Sequence, residues 1–139
     1  MQLKDIITSD VETVTPDSSM FDAAKTMMVR DLGWLPVTDE GNKVVGIITD
    51  RDIAVRGVAG GLDAKKTKVQ DVMTREVYSC SINGTVEDAC NLMEQEQVRR
   101  LVVVDDDEAL LGVISLADVA MQTREAQTGE VLKKVTEPT

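Results

Sequence analysis

The stretch Gly46-Ile47-Ile48-Thr49-Asp50-Arg51-Asp52 is written a second time as Gly112-Val113-Ile114-Ser115-Leu116-Ala117-Asp118. Each version has a glycine, two apolar residues suited to a strand, a hydroxyl residue, and an aspartate three residues further on. The offset of 66 residues holds without a gap from Asp5/Asp71 to Ala54/Ala120. Of those 50 aligned pairs, 13 are identical: Asp5, Thr8, Val11, Asp22, Ala23, Met27, Leu35, Val37, Asp39, Gly46, Ile48, Asp52 and Ala54 with their partners. Chance matching at ordinary residue frequencies would give roughly three. The chain is therefore an internal duplication. A unit this short buries little core alone, so the two copies are expected to pack against each other.

Bulk properties narrow the function. The 139 residues suit one compact domain, and 42% of them are hydrophobic, a globular fraction. Aromatic residues make up only 2%, which leaves Val, Ile, Leu, Met and Ala to build the core. The net charge of −10 opposes sequence-independent binding to nucleic acid or an anionic membrane. The absence of His removes Ser/His/Asp triads, Cys/His dyads and His-based zinc sites. Cys80 and Cys90 have no CxxC spacing and read as buried free thiols of a reducing compartment, ahead of a disulfide. No apolar run approaches the ~20 residues of a membrane span, and Met1-Gln2-Leu3-Lys4-Asp5 lacks the regions of a signal peptide. A cytoplasmic protein is expected.

Each copy reads helix–strand–helix–strand–strand–helix, an α/β (α+β) pattern. Helical turns are expected at Leu3–Ile7 and Val69–Met73, and short strands near Val11–Val14 and Val77–Cys80. The next helix starts at Ser18 or Ser19 in one copy. In the other it starts at Thr85, with Asp88 placed to complete the cap. Met20, Ala23, Ala24, Met27 and Met28 form its buried face, against Val86, Ala89, Cys90 and Met93. Two strands follow, Leu35–Thr38 with Val44–Ile48 and Leu101–Val104 with Leu110–Ile114. The Asp105–Glu108 cluster reads as a solvated hairpin tip, since it lacks the length and distal Glu of a calcium loop. A last helix begins after Thr49 and after Ser115. The expected organisation is repeat 1 over residues 1–57, linker 58–68, repeat 2 over 69–124, and a tail 125–139 with Val131, Leu132 and Val135 at helical spacing.

A strand that ends in Thr or Ser and runs into a helix directs free backbone N–H groups and a hydroxyl to one spot, suited to an anion. The aspartate one turn later can accept from the two hydroxyls of a ribose. The same residues also serve as ordinary helix caps, with the aspartate favoured by the helix dipole. Recurrence at one register favours the nucleotide reading.

The repeat order, with Gly-apolar-apolar-[Thr/Ser]-x-x-Asp closing each copy, resembles a pair of CBS domains, a Bateman module, over residues 3–121. Val98-Arg99-Arg100-Leu101-Val102-Val103-Val104-Asp105 together with the second motif is similar to the last repeat of AMP-activated kinase γ subunits. The whole chain, including Thr49-Asp50-Arg51-Asp52-Ile53 and Gly60-Gly61-Leu62-Asp63, looks like small stand-alone bacterial CBS proteins of the hypoxic-response type. The resemblance implies two pseudo-twofold-related clefts between the repeats, each taking an adenosyl group. It places Thr49 and Asp52 in one cleft and Ser115 and Asp118 in the other, with the motif Asp on the ribose and the hydroxyl near the phosphate. It adds residues that enter the second strand, Trp34-Leu35-Pro36 and Arg99-Arg100-Leu101. Kinase γ repeats have His then Arg where this chain has Arg99 and Arg100. It also implies a disc-like homodimer.

The two copies differ around the motif. Arg51 aligns with Ala117, Asp50 with Leu116, and Gly33 and Trp34 with Arg99 and Arg100. Tyr78, whose repeat mate is Glu12, is either a surface strand residue or an adenine contact. The expected function is a non-catalytic adenine-nucleotide sensor. AMP is placed ahead of ADP, ATP, NAD or S-adenosylmethionine, and the effector is an unidentified protein. The binding set is Thr49, Arg51, Asp52, Leu35, Pro36, Arg99, Arg100, Leu101, Ser115, Asp118 and Tyr78, with no catalytic or metal-ligating residue. The rivals are a ligand-free dimerisation scaffold of the same fold and an enzyme using the Asp clusters with a metal.

Overall fold

A computed structural model describes residues 1–126. The expected terminal helix at Val131, Leu132 and Val135 lies outside the described residues. The chain forms two compact units. One is Glu12–Val77; the other joins Met1–Val11 to the chain from Tyr78 onward. Each unit thus contains the hairpin of one copy and the leading segment of the other.

In the Glu12–Val77 unit, helix α1 (Met20–Arg30) precedes an antiparallel hairpin of β1 (Trp34–Thr38) and β2 (Val44–Thr49). Ser19 caps α1 by accepting from the Asp22 N–H at 3.0 Å; Ser18 instead bonds Thr15. Met20, Ala23 and Met27 fall on one helix face and pack on Leu35, Val37 and Ile48 of the hairpin. Met28 does not join them. One residue past Met27 turns it about 100° away, and it is 73% exposed. The expected strand at Val11–Val14 is reduced to a single parallel bridge from Val14 to Val37. After Thr49 comes a single α turn, α2 (Asp50–Asp52), which widens into a π-helix over Ile53–Val58. Gly57 sits in that π segment against Met20, whose thioether stands where a Cβ would have to go. A larger residue there would have to push the flexible end of that side chain aside.

The other unit repeats the plan. Strand β3 (Ser79–Ser81) runs parallel to β4 (Arg100–Val104), and β4 pairs antiparallel with β5 (Leu110–Ser115). The expected Val77–Cys80 strand is therefore shorter and lies slightly later. Helix α3 (Val86–Glu96) opens on a complete capping box between Thr85 and Asp88, and α4 spans Leu116–Ala126. Leu101, Val102 and Val103 are at most 1% exposed, as a continuous apolar run on a strand covered on both faces requires. Leu101 and Val103 pack with Met93, Ile114 and Val119.

The duplication extends to backbone positions where the residues differ. Asp31 and Gln97 both end their helices at positive φ, 55° and 56°. Asn42 and Glu108 take 61° and 66° at the hairpin tips. Asp39 and Asp105 each turn a carboxylate oxygen onto two N–H groups of their own tip, so Asp105 organises the loop from within. Cys80 and Cys90 are free thiols, Cys90 buried and Cys80 half-buried. Among the described residues no helix is long and apolar enough to cross a membrane.

Candidate functional site

The motif glycines mark where a foreign segment crosses the hairpin. Thr74 pairs with Ile47 through two backbone bonds of 2.8 Å, beside Gly46. In the other unit Thr8 pairs with Val113 at 2.9 and 3.0 Å, beside Gly112. A Cβ on Gly46 would stand 3.0 Å from the Thr74 carbonyl oxygen, and one on Gly112 would stand 2.6 Å from that of Thr8. Each motif is thus completed by a threonine from the other copy's leading segment. Neither threonine is in the expected binding set. Their identity at one register, Thr8 with Thr74, was the available signal.

Each corner has the same capping geometry. Thr49 Oγ1 accepts from the Asp52 N–H at 3.0 Å, and Asp52 Oδ2 accepts from the Thr49 N–H at 3.1 Å. Ser115 and Asp118 do the same at 3.1 and 3.0 Å. The helix-start N–H groups are less available than a bare helix end would offer. Asp50 donates its N–H to the Gly33 carbonyl at 3.0 Å, and the Arg51 N–H donates to Asp50 Oδ1 at 2.8 Å. With Asp52 capped, the first three N–H groups of that helix are engaged, which corrects the expected free cluster. At the other corner Leu116 donates to the Arg99 carbonyl at 2.8 Å and Asp118 is capped. There the Ala117 N–H keeps no partner among the described residues.

The structure puts Thr49, Arg51, Asp52, Leu35 and Pro36 in one unit, and Arg99, Arg100, Leu101, Ser115, Asp118 and Tyr78 in the other. Arg100 lies directly across the strand pair from Ser115, on the same sheet face. Arg51, Arg99 and Arg100 are exposed, and their guanidinium groups pair with no described residue. Leu35 and Leu101 are wholly buried in their cores, so only their backbone could face a ligand. Pro36 is buried as well, with its carbonyl accepting from Val14. Tyr78 is half-buried against the core of its unit, and its carbonyl accepts from Val102.

The CBS domain family matches this chain twice, over residues 3–57 and 69–123. This chain belongs to the CBS domain family. It is 39% identical to the CBS domain-containing protein YhcV of Bacillus subtilis, over 96% of this chain and 94% of that one. It is 30% identical to hypoxic response protein 1 of Mycobacterium tuberculosis, over 97% and 94%. The crystal structure of CBSX2 in complex with AMP superposes with a TM-score of 0.77 at 25% identity, covering 91% of this chain and 98% of that one. Relatives at 36% identity also include enzymes, of which this chain spans 24% to 33%. CBS pairs of this kind are regulatory modules.

Proposed function

We propose that this CBS pair is a non-catalytic sensor that binds an adenine nucleotide, with AMP ahead of ADP, ATP, NAD or S-adenosylmethionine. The observation that carries this reading is at the Ser115 corner. Asp118 Oδ2 is used by the cap, and nothing among the described residues donates to Oδ1. The Ala117 N–H and the Ser115 hydroxyl belong to the same helix start, and Arg100 lies across the strand pair from Ser115. A carboxylate oxygen suits a ribose hydroxyl, and an N–H, a hydroxyl and an arginine suit a phosphate. The AMP-bound CBSX2 structure supports adenylate as the ligand class. Thr49, Arg51 and Asp52 repeat the pattern in the other unit, where the carboxylate is already engaged.

The reading includes a homodimer in the cytoplasm that passes nucleotide level to an effector protein. Exposed Met28, Val29, Val58 and Met121 support self-association, since large apolar side chains on helices favour a covered face. The competing reading is a scaffold that takes no ligand. A thermal-shift and calorimetric screen against the five candidates separates them. AMP should raise the melting temperature with saturable heat; a flat response to all five favours the scaffold.

A further inference from the structure

The two nucleotide corners share a sequence pattern but differ in what their aspartates already hold. Asp52 is 7% exposed. Its Oδ2 accepts from the Thr49 N–H, and the Thr74 hydroxyl donates to both carboxylate oxygens at 3.1 and 3.2 Å. Arg56 Nη1 stands 3.4 Å from Oδ1 as an ion pair. The same Nη1 donates to the carbonyls of Val72 at 3.0 Å and Met73 at 2.9 Å. Asp52 and Arg56 therefore clamp the Val72–Thr74 segment onto the helical segment that follows β2. The repeat mate of Arg56 is Gln122, which cannot supply that charge. Thr8, the mate of Thr74, keeps its backbone pairing to Val113, but its hydroxyl makes no bond to Asp118.

The phosphate end is unequal too. Asp50 folds its carboxylate onto the Arg51 N–H, and its Oδ2 lies 2.8 Å from where a Cβ on Gly33 would stand. That corner already has an anion of its own at the helix start. In the other copy Asp50 is replaced by Leu116 and Gly33 by Arg99, so an anion gives way to a cation. A ribose at Asp52 would have to displace the Thr74 hydroxyl from its acceptor and compete with Arg56 for the carboxylate. A phosphate there would meet Asp50.

We propose that Arg56, Thr74 and Asp50 close the first corner, so that each chain takes one adenine nucleotide, at Asp118, while Asp52 is an internal brace. The proposal rests on the nucleotide reading above. The test is calorimetry of the full chain with AMP, or with ADP, ATP, NAD and S-adenosylmethionine if AMP gives no heat, beside thermal melting. Wild type should bind one equivalent per chain. Asp118→Asn should weaken binding ten- to hundredfold with little change in melting temperature. Arg56→Gln should lower the melting temperature by several degrees and leave affinity within about threefold. Asp52→Asn should behave like Arg56→Gln; if it does not fold, Arg56→Gln alone decides. Two equivalents in wild type, or lost affinity in Arg56→Gln with an unchanged melting temperature, overturns the inequality and leaves nucleotide binding standing. No heat from AMP, ADP or ATP, nor from NAD or S-adenosylmethionine, overturns the nucleotide reading and this proposal with it.

Discussion

The carbonyl oxygen of Thr8 lies 2.6 Å from the point where a Cβ on Gly112 would stand. A backbone atom cannot swing aside as a side chain can. Gly112→Ala should therefore push the leading segment off β5 and cost about 1–3 kcal/mol, as overpacking does. At Gly46 the nearest atom is the flexible Met73 Sδ at 2.6 Å, with the Thr74 carbonyl at 3.0 Å. Gly46→Ala should cost less. Urea midpoints of the two variants check the order, and equal midpoints would sink this account of the motif glycine.

Glu108 occupies a left-handed position at φ 66°, where a side chain is strained by roughly 1 kcal/mol. Its carboxylate also adds to the charge of Asp105, Asp106 and Asp107. Glu108→Gly removes both penalties. The melting temperature should rise by a few degrees, corresponding to about 0.5–1 kcal/mol. A lower melting temperature would mean that the glutamate makes a compensating contact.

With a net charge of −10, the chain opposes a polyanion. Arg51, Arg99 and Arg100 are the cations at the motif corners that pair with no described residue. AMP or ADP should bind at least as well as ATP in low magnesium. Calorimetry that gives ATP a tenfold advantage, about 1.4 kcal/mol, contradicts this ranking.

Met28 is 73% exposed, Val58 69% and Met121 72%, although all are apolar. Sedimentation at micromolar concentration should show a dimer, and Met28→Glu or Met121→Glu should shift it toward monomer. A wild-type sample that sediments only as a 15.1 kDa species defeats the dimer.

Burial pushes the Cys80 thiol up from 9.0 to about 11, and the negative charge of Asp88 adds to the shift. At pH 8 the folded chain then holds about a hundredfold less Cys80 thiolate than the unfolded chain. Iodoacetamide labelling of Cys80, read by peptide mass spectrometry, should be slow until denaturant is added. The folded state keeps this proton more tightly, so the associated stability is full below pH 9 and lost as pH rises through 11. Rapid native-state labelling at pH 8 would show that the site is not desolvated.

The sequence by itself determined the duplication, both hairpins, the helices that precede them and the caps at Thr85, Thr49 and Ser115, and it narrowed the first helix cap to Ser18 or Ser19. These follow from local rules. A hydroxyl three residues before an N–H it can reach, or an apolar run bounded by a turn, acts within a few residues whatever lies around it. The resemblance of the repeated motif to CBS domains pointed to the family, which the match over residues 3–57 and 69–123 shows. Tertiary structure alone decided that each hairpin is completed by the other copy's leading segment, that Met28 faces outward, and that the helix after Thr49 widens around Gly57. It also decided the difference between Asp52 and Asp118. In the sequence they are one residue in one pattern. Asp52 meets Thr74, 22 residues away along the chain, and Arg56 reaches the Val72 carbonyl 16 residues away. Those separations lie beyond any local spacing rule, so which aspartate is spoken for could be read only once the chain had folded back on itself.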